Sequence, residues 1–332
     1  MKKNFITDLQ VGQDLKGTAF AVKNITTRST SAGKEYKDLI LGDKTGDINA
    51  KIWTTSLSNC ETPKNGEVVS IDALVEEYRE KPQLNISYLQ VLASDSIDLT
   101  EFMKSADTDL NTLYAIVDTS IKKMKDKYLK KLIGTFYGEK NFKERFKNAP
   151  GAQYIHHAYI GGLMEHVVEM LALADTVAEL YPKINHDLLI TGVLLHDIGK
   201  IDELTAEAAI TRTRKGKLVG HIPMSSNLVY EAMKNIPDFP VDLSDQVLHL
   251  VLSHHGQLDY GSPVVPMTTE AFALHHIDQL SSKINIVYKK TLENSENTDS
   301  FTERIMPLGS ELYIPNGKKD NKKTDTIEQT LF

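Results

Sequence analysis

The stretch LILGDKTGDINAKIW, residues 39–53, decides how the first third of the chain is read. In it Ile48, Ala50 and Ile52 alternate with Asn49, Lys51 and Trp53, the period of two that gives a strand one apolar and one polar face. Asp43-Lys44-Thr45-Gly46 supplies the residues that a tight reversal needs, so the run predicts a hairpin. Working outward, strand-like segments cover 14–25, 34–42, 67–79 and 83–92, with Val69, Ile71, Ala73 and Val75 again alternating and Asn65-Gly66 marking a turn. Five short twisted strands leave exposed edges unless the sheet closes on itself. Residues 1–95 are therefore expected to form an all-β barrel.

The same run resembles the nucleic-acid-binding OB-fold pattern. On that reading Lys51 and Trp53 project away from the core, and Tyr36 adds a second flat surface. Aromatic faces beside cations bind single strands by stacking, without needing a base code. Trp53, Lys51 and Tyr36 are accordingly candidate nucleic-acid contacts.

Beyond residue 105 the period becomes helical, with Leu110, Leu113, Val117, Ile121, Met124, Tyr128, Leu132 and Phe136 recurring at steps of three and four. Between these positions, residues 122–147 carry ten Lys/Arg against Asp126, Glu139 and Glu144. Residues 96–149 thus read as a helical connector with a basic face, 150–292 as a mainly helical domain, and 293–332 as a polar, partly flexible extension. A second basic cluster contains Arg212 and Arg214, candidate phosphate contacts in a chain whose formal charge is -7. The longest apolar stretch, 188–195, is too short to cross a bilayer, and the N-terminus has no leader-like apolar run. A cytoplasmic protein without a membrane partner is expected. Cys60 is the only cysteine, which rules out an internal disulfide and a thiolate metal cluster.

All eleven histidines fall after residue 150. His166 shares a helical face with Leu163 and Met170; His196-Asp197 ends the apolar run LLITGVLL; His221 opens a helix; His254-His255 closes one; and Asp278 sits on an apolar helix. Buried imidazoles and carboxylates are costly unless something compensates their lost hydration, and a cation does so. Mn, Fe, Co, Ni and Zn all suit this donor set. Seven ligands exceed what one octahedral ion needs once water is counted, so two divalent ions are expected. Two such ions would acidify a water for attack on phosphorus, with Asp197 between them as a catalytic residue and Lys200 holding the scissile phosphate.

LLHDIGK at 194–200 is similar to the central motif of the HD phosphohydrolases, and the order H, HD, H, HH, D is similar to their dinuclear subset. No Gly-Tyr-Pro follows it, so cyclic-dinucleotide specificity is not implied. With HHAYIGGLMEHV at 156–167 and the N-terminal barrel, nearly the whole chain resembles the YhaM-type 3'-5' exoribonucleases. That resemblance implies a multidomain chain, an OB-fold barrel followed by an α-helical HD domain, that uses divalent metal, manganese first, to shorten single-stranded RNA and sometimes DNA from the 3' end. It also suggests a substrate contact at His157. Two other readings remain at this stage: an HD phosphohydrolase of small or cyclic nucleotides with a regulatory barrel, and a non-catalytic single-strand or DNA-binding protein. Oligomeric state is left open.

Overall fold

The computed structural model describes residues 4–79, 81–93, 98, 101–293 and 300–314. Alternation in the first third produces β1 (Asp14–Ser29), β2 (Glu35–Asp43), β3 (Gly46–Ile52), β4 (Val68–Tyr78) and β5 (Lys81–Val91). These close into a barrel in the order β1-β2-β3-β5-β4. Neighbours are antiparallel except β3 and β5, which run parallel with Ala50 opposite Leu84. Closure depends on β1 pairing with both β2 and β4, and it bends to do so through register shifts at Leu15/Thr18 and Val22/Asn24. The inward positions of all five strands, including Leu15, Phe20, Leu41, Ile52, Ile71, Leu84 and Ile86, form one apolar core. Each large side chain fully buried there stabilises the barrel by roughly 1.5–3 kcal/mol. This strand order and closure are those of an OB-fold.

β1 runs to Ser29, past the expected end at 25, because Thr26–Ser29 pair with Glu35–Asp38 in an exposed ribbon. With solvent on both faces, that ribbon carries no period-two signal. The helical run from Leu110 is likewise divided, into α1 (Leu110–Lys123) and α2 (Lys127–Tyr137). The side chain of Asp126 accepts the N–H groups of Tyr128 and Leu129, a cap that starts a new helix. Then follow α3 (Lys140–Asn148), α4 (Gly162–Leu180), α5 (His186–Leu195), α6 (Lys200–Glu203), the hairpin β6 (Leu204–Ala206) and β7 (Ile210–Arg212), α7 (Arg214–Val219), α8 (His221–Lys234), α9 (Val241–Ser253) and α10 (Thr269–Glu293).

The chain falls into two compact units, residues 1–279 and 280–332. Within the first, a core centred on α4 and α5 gathers Leu113, Val117, Leu129, Leu163, Leu171, Leu189, Val193, Leu250 and Leu274. Ala208, in the β6–β7 turn, packs with Ala21 and Val68 of the barrel and with Phe102. In the second unit, Phe301 bridges Tyr313 and Ile305 bridges Ser310. The mobile tail expected at the C-terminus falls on 315–332, outside the described residues. Among the described residues no helix is long and apolar enough to cross a membrane.

Candidate metal centre and nucleic-acid face

Helix α4 begins at Gly161-Gly162 because the backbone doubles back here: a Cβ on Gly162 would lie 1.9 Å from the His157 carbonyl oxygen. One turn later His166 points inward, with Nε2 3.2 Å from Asp278 Oδ1 on α10. Helix α5 is buried from Leu188 to Leu195, and this apolar rod delivers His196 and Asp197 into the interior. His221 is the first residue of α8, and His254 follows the last turn of α9.

These elements converge on Asp197, which is 3% exposed. Its Oδ1 lies 3.4 Å from His221 Nε2 and 3.6 Å from His254 Nε2. Its Oδ2 lies 3.3 Å from His196 Nε2 and 2.6 Å from Lys200 Nζ. The ring of His166 is 5.6 Å from that of His196, and the ring of His255 is 4.4 Å from that of His254. Two groups result, His166-His196-Asp197 and His221-His254-His255, each with donor atoms within 4.8 Å of one another. All seven expected ligands are thus brought together, with the two oxygens of Asp197 divided between the groups.

Three of the imidazoles are turned the same way by a carbonyl close by in sequence. His196 Nδ1 donates to the Val193 carbonyl (2.9 Å), His254 Nδ1 to Val251 (2.6 Å) and His255 Nδ1 to Tyr260 (2.7 Å). A nitrogen that donates fixes the tautomer, so Nε2 keeps its lone pair and faces inward. The buried atoms His196 Nε2, His221 Nε2, His254 Nε2 and Asp197 Oδ1 accept or donate no hydrogen bond. Buried polar atoms are otherwise almost always satisfied. Imidazole nitrogens and a carboxylate oxygen pointing at a common space are a donor set that fits divalent cations.

The electrostatics agree. Burial would raise the Asp197 carboxyl, but Lys200 and His196 hold it well below the usual carboxylate range. Burial is likewise outweighed at Asp278, which His166 lowers. Burial lowers His166 and His254 in spite of carboxylates beside them, whereas at His196 the Asp197 charge reverses the effect of burial and raises it.

His157 takes a different place from the one expected of a substrate contact. It is fully buried, with Nδ1 3.0 Å from the Tyr159 hydroxyl and 3.3 Å from Glu165 Oε2, and Nε2 3.4 Å from Glu169 Oε2. Strand contact at His157 is therefore withdrawn, since solvent does not reach the ring. Together with His166 and Glu169 it forms a third donor group beside the other two. Its neighbour His156 lies instead toward Lys200, His166 and Asp278, and burial, aided by Lys200, lowers its pKa to about 3. Sequence reading also missed Glu203, which accepts from His221 Nδ1 at 3.0 Å. A glutamate in IDELTA gives no periodic signal that it is buried.

On the barrel, Trp53 is 37% exposed and its ring lies 5.0 Å from that of Tyr36. Lys51 Nζ is 4.9 Å from the Tyr36 ring centre and 5.6 Å from that of Trp53, so the three candidates are brought together. Asp38 partly neutralises the patch, 3.5 Å from Lys51 and 3.0 Å from Arg28. Arg212 and Arg214 are exposed at the β7–α7 junction, with Arg212 Nε 3.8 Å from Glu203. The connector's basic face is partly occupied: Lys143 lies over the Tyr114 ring, and Arg145 binds Asp202.

Comparison with known proteins then bears on these features. The HD domain family model matches residues 163–283. The 3'-5' exoribonuclease YhaM of Oceanobacillus iheyensis is 34% identical over 318 residues, covering 95% of this chain and 98% of that protein. That of Bacillus subtilis is 35% identical over 291 residues, 86% of this chain and 90% of the relative. Among solved structures, the second OB-fold domain of replication protein A from Methanococcus maripaludis aligns with 30% of this chain and all of that one, at 17% identity and a TM-score of 0.24.

Proposed function

We propose, from the premise that this chain belongs to the 3'-5' exoribonuclease YhaM family, that it is a metal-dependent 3'-5' exonuclease of single-stranded RNA, and of single-stranded DNA where the barrel admits it. The observation that carries the reading is Asp197, whose two oxygens face two separate histidine groups deep in the helical half. His166, His196 and Asp278 would hold one divalent ion, and His221, His254 and His255 a second, with Asp197 between them. Manganese is the first choice and Co, Fe, Ni and Zn the alternatives. Ions bound there supply Lewis acidity, lowering the pKa of water and offsetting charge on phosphoryl oxygens.

The chain's own residues do the rest. Anchored Nδ1 atoms hold the imidazoles in one tautomer, so no reorganisation is needed when substrate arrives. Lys200, 2.6 Å from Asp197 Oδ2, would turn one of its hydrogen bonds to a non-bridging oxygen of the terminal phosphodiester. Water adds to phosphorus, the bond from phosphorus to the preceding 3'-oxygen breaks, and a nucleoside 5'-monophosphate leaves behind a new 3'-hydroxyl. Trp53, Tyr36 and Lys51 would stack and pair with the upstream strand, while Arg212 and Arg214 attract its phosphates.

The test uses chelator-treated protein, with Mn restored, on single strands labelled at either end. The proposal expects a descending ladder from the 5'-labelled strand and immediate release of labelled mononucleotide from the 3'-labelled one. Hydrolysis of free nucleotides or cyclic dinucleotides in preference to the oligonucleotide would overturn it.

A further inference from the structure

His221 differs from His196 and His254 in one structural respect. His196 and His254 each donate Nδ1 to a carbonyl three residues earlier in the helix that carries them. His221 is the first residue of α8 and has no preceding turn in its own helix, so its ring must be held from elsewhere. Glu203 does this: Oε2 lies 3.0 Å from His221 Nδ1, and the side chain is only 5% exposed. A carboxylate can only accept, so Nδ1 carries the hydrogen and Nε2 turns toward Asp197 Oδ1, 3.4 Å away.

Glu203 is itself fixed. Its N–H donates to the Gly199 carbonyl (2.9 Å) and its carbonyl accepts from Thr213 N–H (2.9 Å). Gly216 packs so closely that a Cβ there would lie 2.8 Å from Glu203 Cγ. Its other oxygen faces Arg212 Nε at 3.8 Å, across the hairpin whose turn packs on the barrel through Ala208.

We propose that Glu203 is a positioning residue for the reaction: it fixes the tautomer and heading of His221, with Arg212 bracing the carboxylate from the strand side. The inference rests on the two-ion reading above. A carboxylate behind a ligating imidazole typically changes metal affinity by about 10- to 100-fold. The effect should fall on the ion held by His221, not on strand binding.

The experiment compares wild type, Glu203→Gln and Glu203→Leu by equilibrium dialysis against Mn, by the Mn dependence of oligonucleotide hydrolysis, and by thermal unfolding of the metal-free forms. Glu203→Leu is expected to bind the weaker Mn roughly 10- to 100-fold less tightly. Excess Mn should restore most of kcat, and KM for the oligonucleotide should stay unchanged. Glu203→Gln, which keeps an acceptor without the charge, should lie between the two, and it carries the test if the leucine variant does not fold. Two Mn bound by wild type with unaltered Mn dependence in the variants would overturn the role of Glu203 alone. Wild type that binds no Mn would instead overturn the two-ion reading.

Discussion

The barrel closes over Leu, Ile, Val, Ala and Phe20, whereas the helical half sinks His157, His166, His196, Asp197 and His254 to between 0% and 3% exposure. The first interior follows the ordinary rule that apolar surface leaves water. The second holds groups that are costly to desolvate, on rigid helices around α5. The barrel's aromatic face, by contrast, is shallow and open to solvent, with Asp38 drawing on its positive charge. One region holds groups where water does not screen them, and the other is the face to which the proposed function assigns the strand.

The sharpest way to break that division is Asp197→Asn. Hydrolysis should fall roughly a thousandfold or more, the scale of losing several kcal/mol of transition-state stabilisation, while single-strand affinity stays near that of wild type in a gel-shift titration. Equal loss of both would mean that the two regions do not divide the work.

Stability should separate them next. Phe20→Ala empties part of the barrel core and is expected to cost about 3–5 kcal/mol whether or not Mn is present. Chelation leaves that core alone but removes what the ions add, about 2.7 kcal/mol when Mn stands at a hundred times its dissociation constant. Thermal unfolding with and without Mn measures both.

Trp53→Ala should weaken single-strand binding by about 1–3 kcal/mol, the usual worth of one stacked base. The loss is expected in KM for long oligonucleotides, with kcat unchanged.

The smallest effect is in pH. His156, His166 and His254 have folded-state values below 6.5, His156 at about 3. As pH falls through 6.5 the unfolded chain takes up protons that these folded groups refuse, so the metal-free protein loses stability toward acid. Asp197 and Asp278, also lowered, act with the same sign at more acid pH. His196 and His157 are raised and oppose this, giving stability that is complete below 6.5 and lost as pH rises through their folded values. His156→Gln should therefore flatten the decline in unfolding midpoint between pH 6.5 and 4.

Why some of this was legible in sequence follows from the same contrast. Barrel strands announced themselves because one face meets water and the other does not, and the signal failed only where both faces of the β1–β2 ribbon are wet. The seven converging side chains were legible because they are polar groups within or at the ends of apolar helices. Glu203 was not, since its burial comes from a hairpin and Gly216 packing on it, contacts made far along the chain. The place of His157 was not legible for a related reason: in sequence the adjacent imidazoles of His156 and His157 look alike, and it is the contacts with Tyr159, Glu165 and Glu169 that bury His157.

Counting bound ions tests the central claim most directly. After chelation and dialysis against Mn, wild-type protein should retain two Mn per chain, with fewer on Asp197→Asn, and hydrolysis of single-stranded RNA should rise in step with occupancy. A chain that binds no divalent ion yet shortens RNA at full rate in excess chelator would contradict the account.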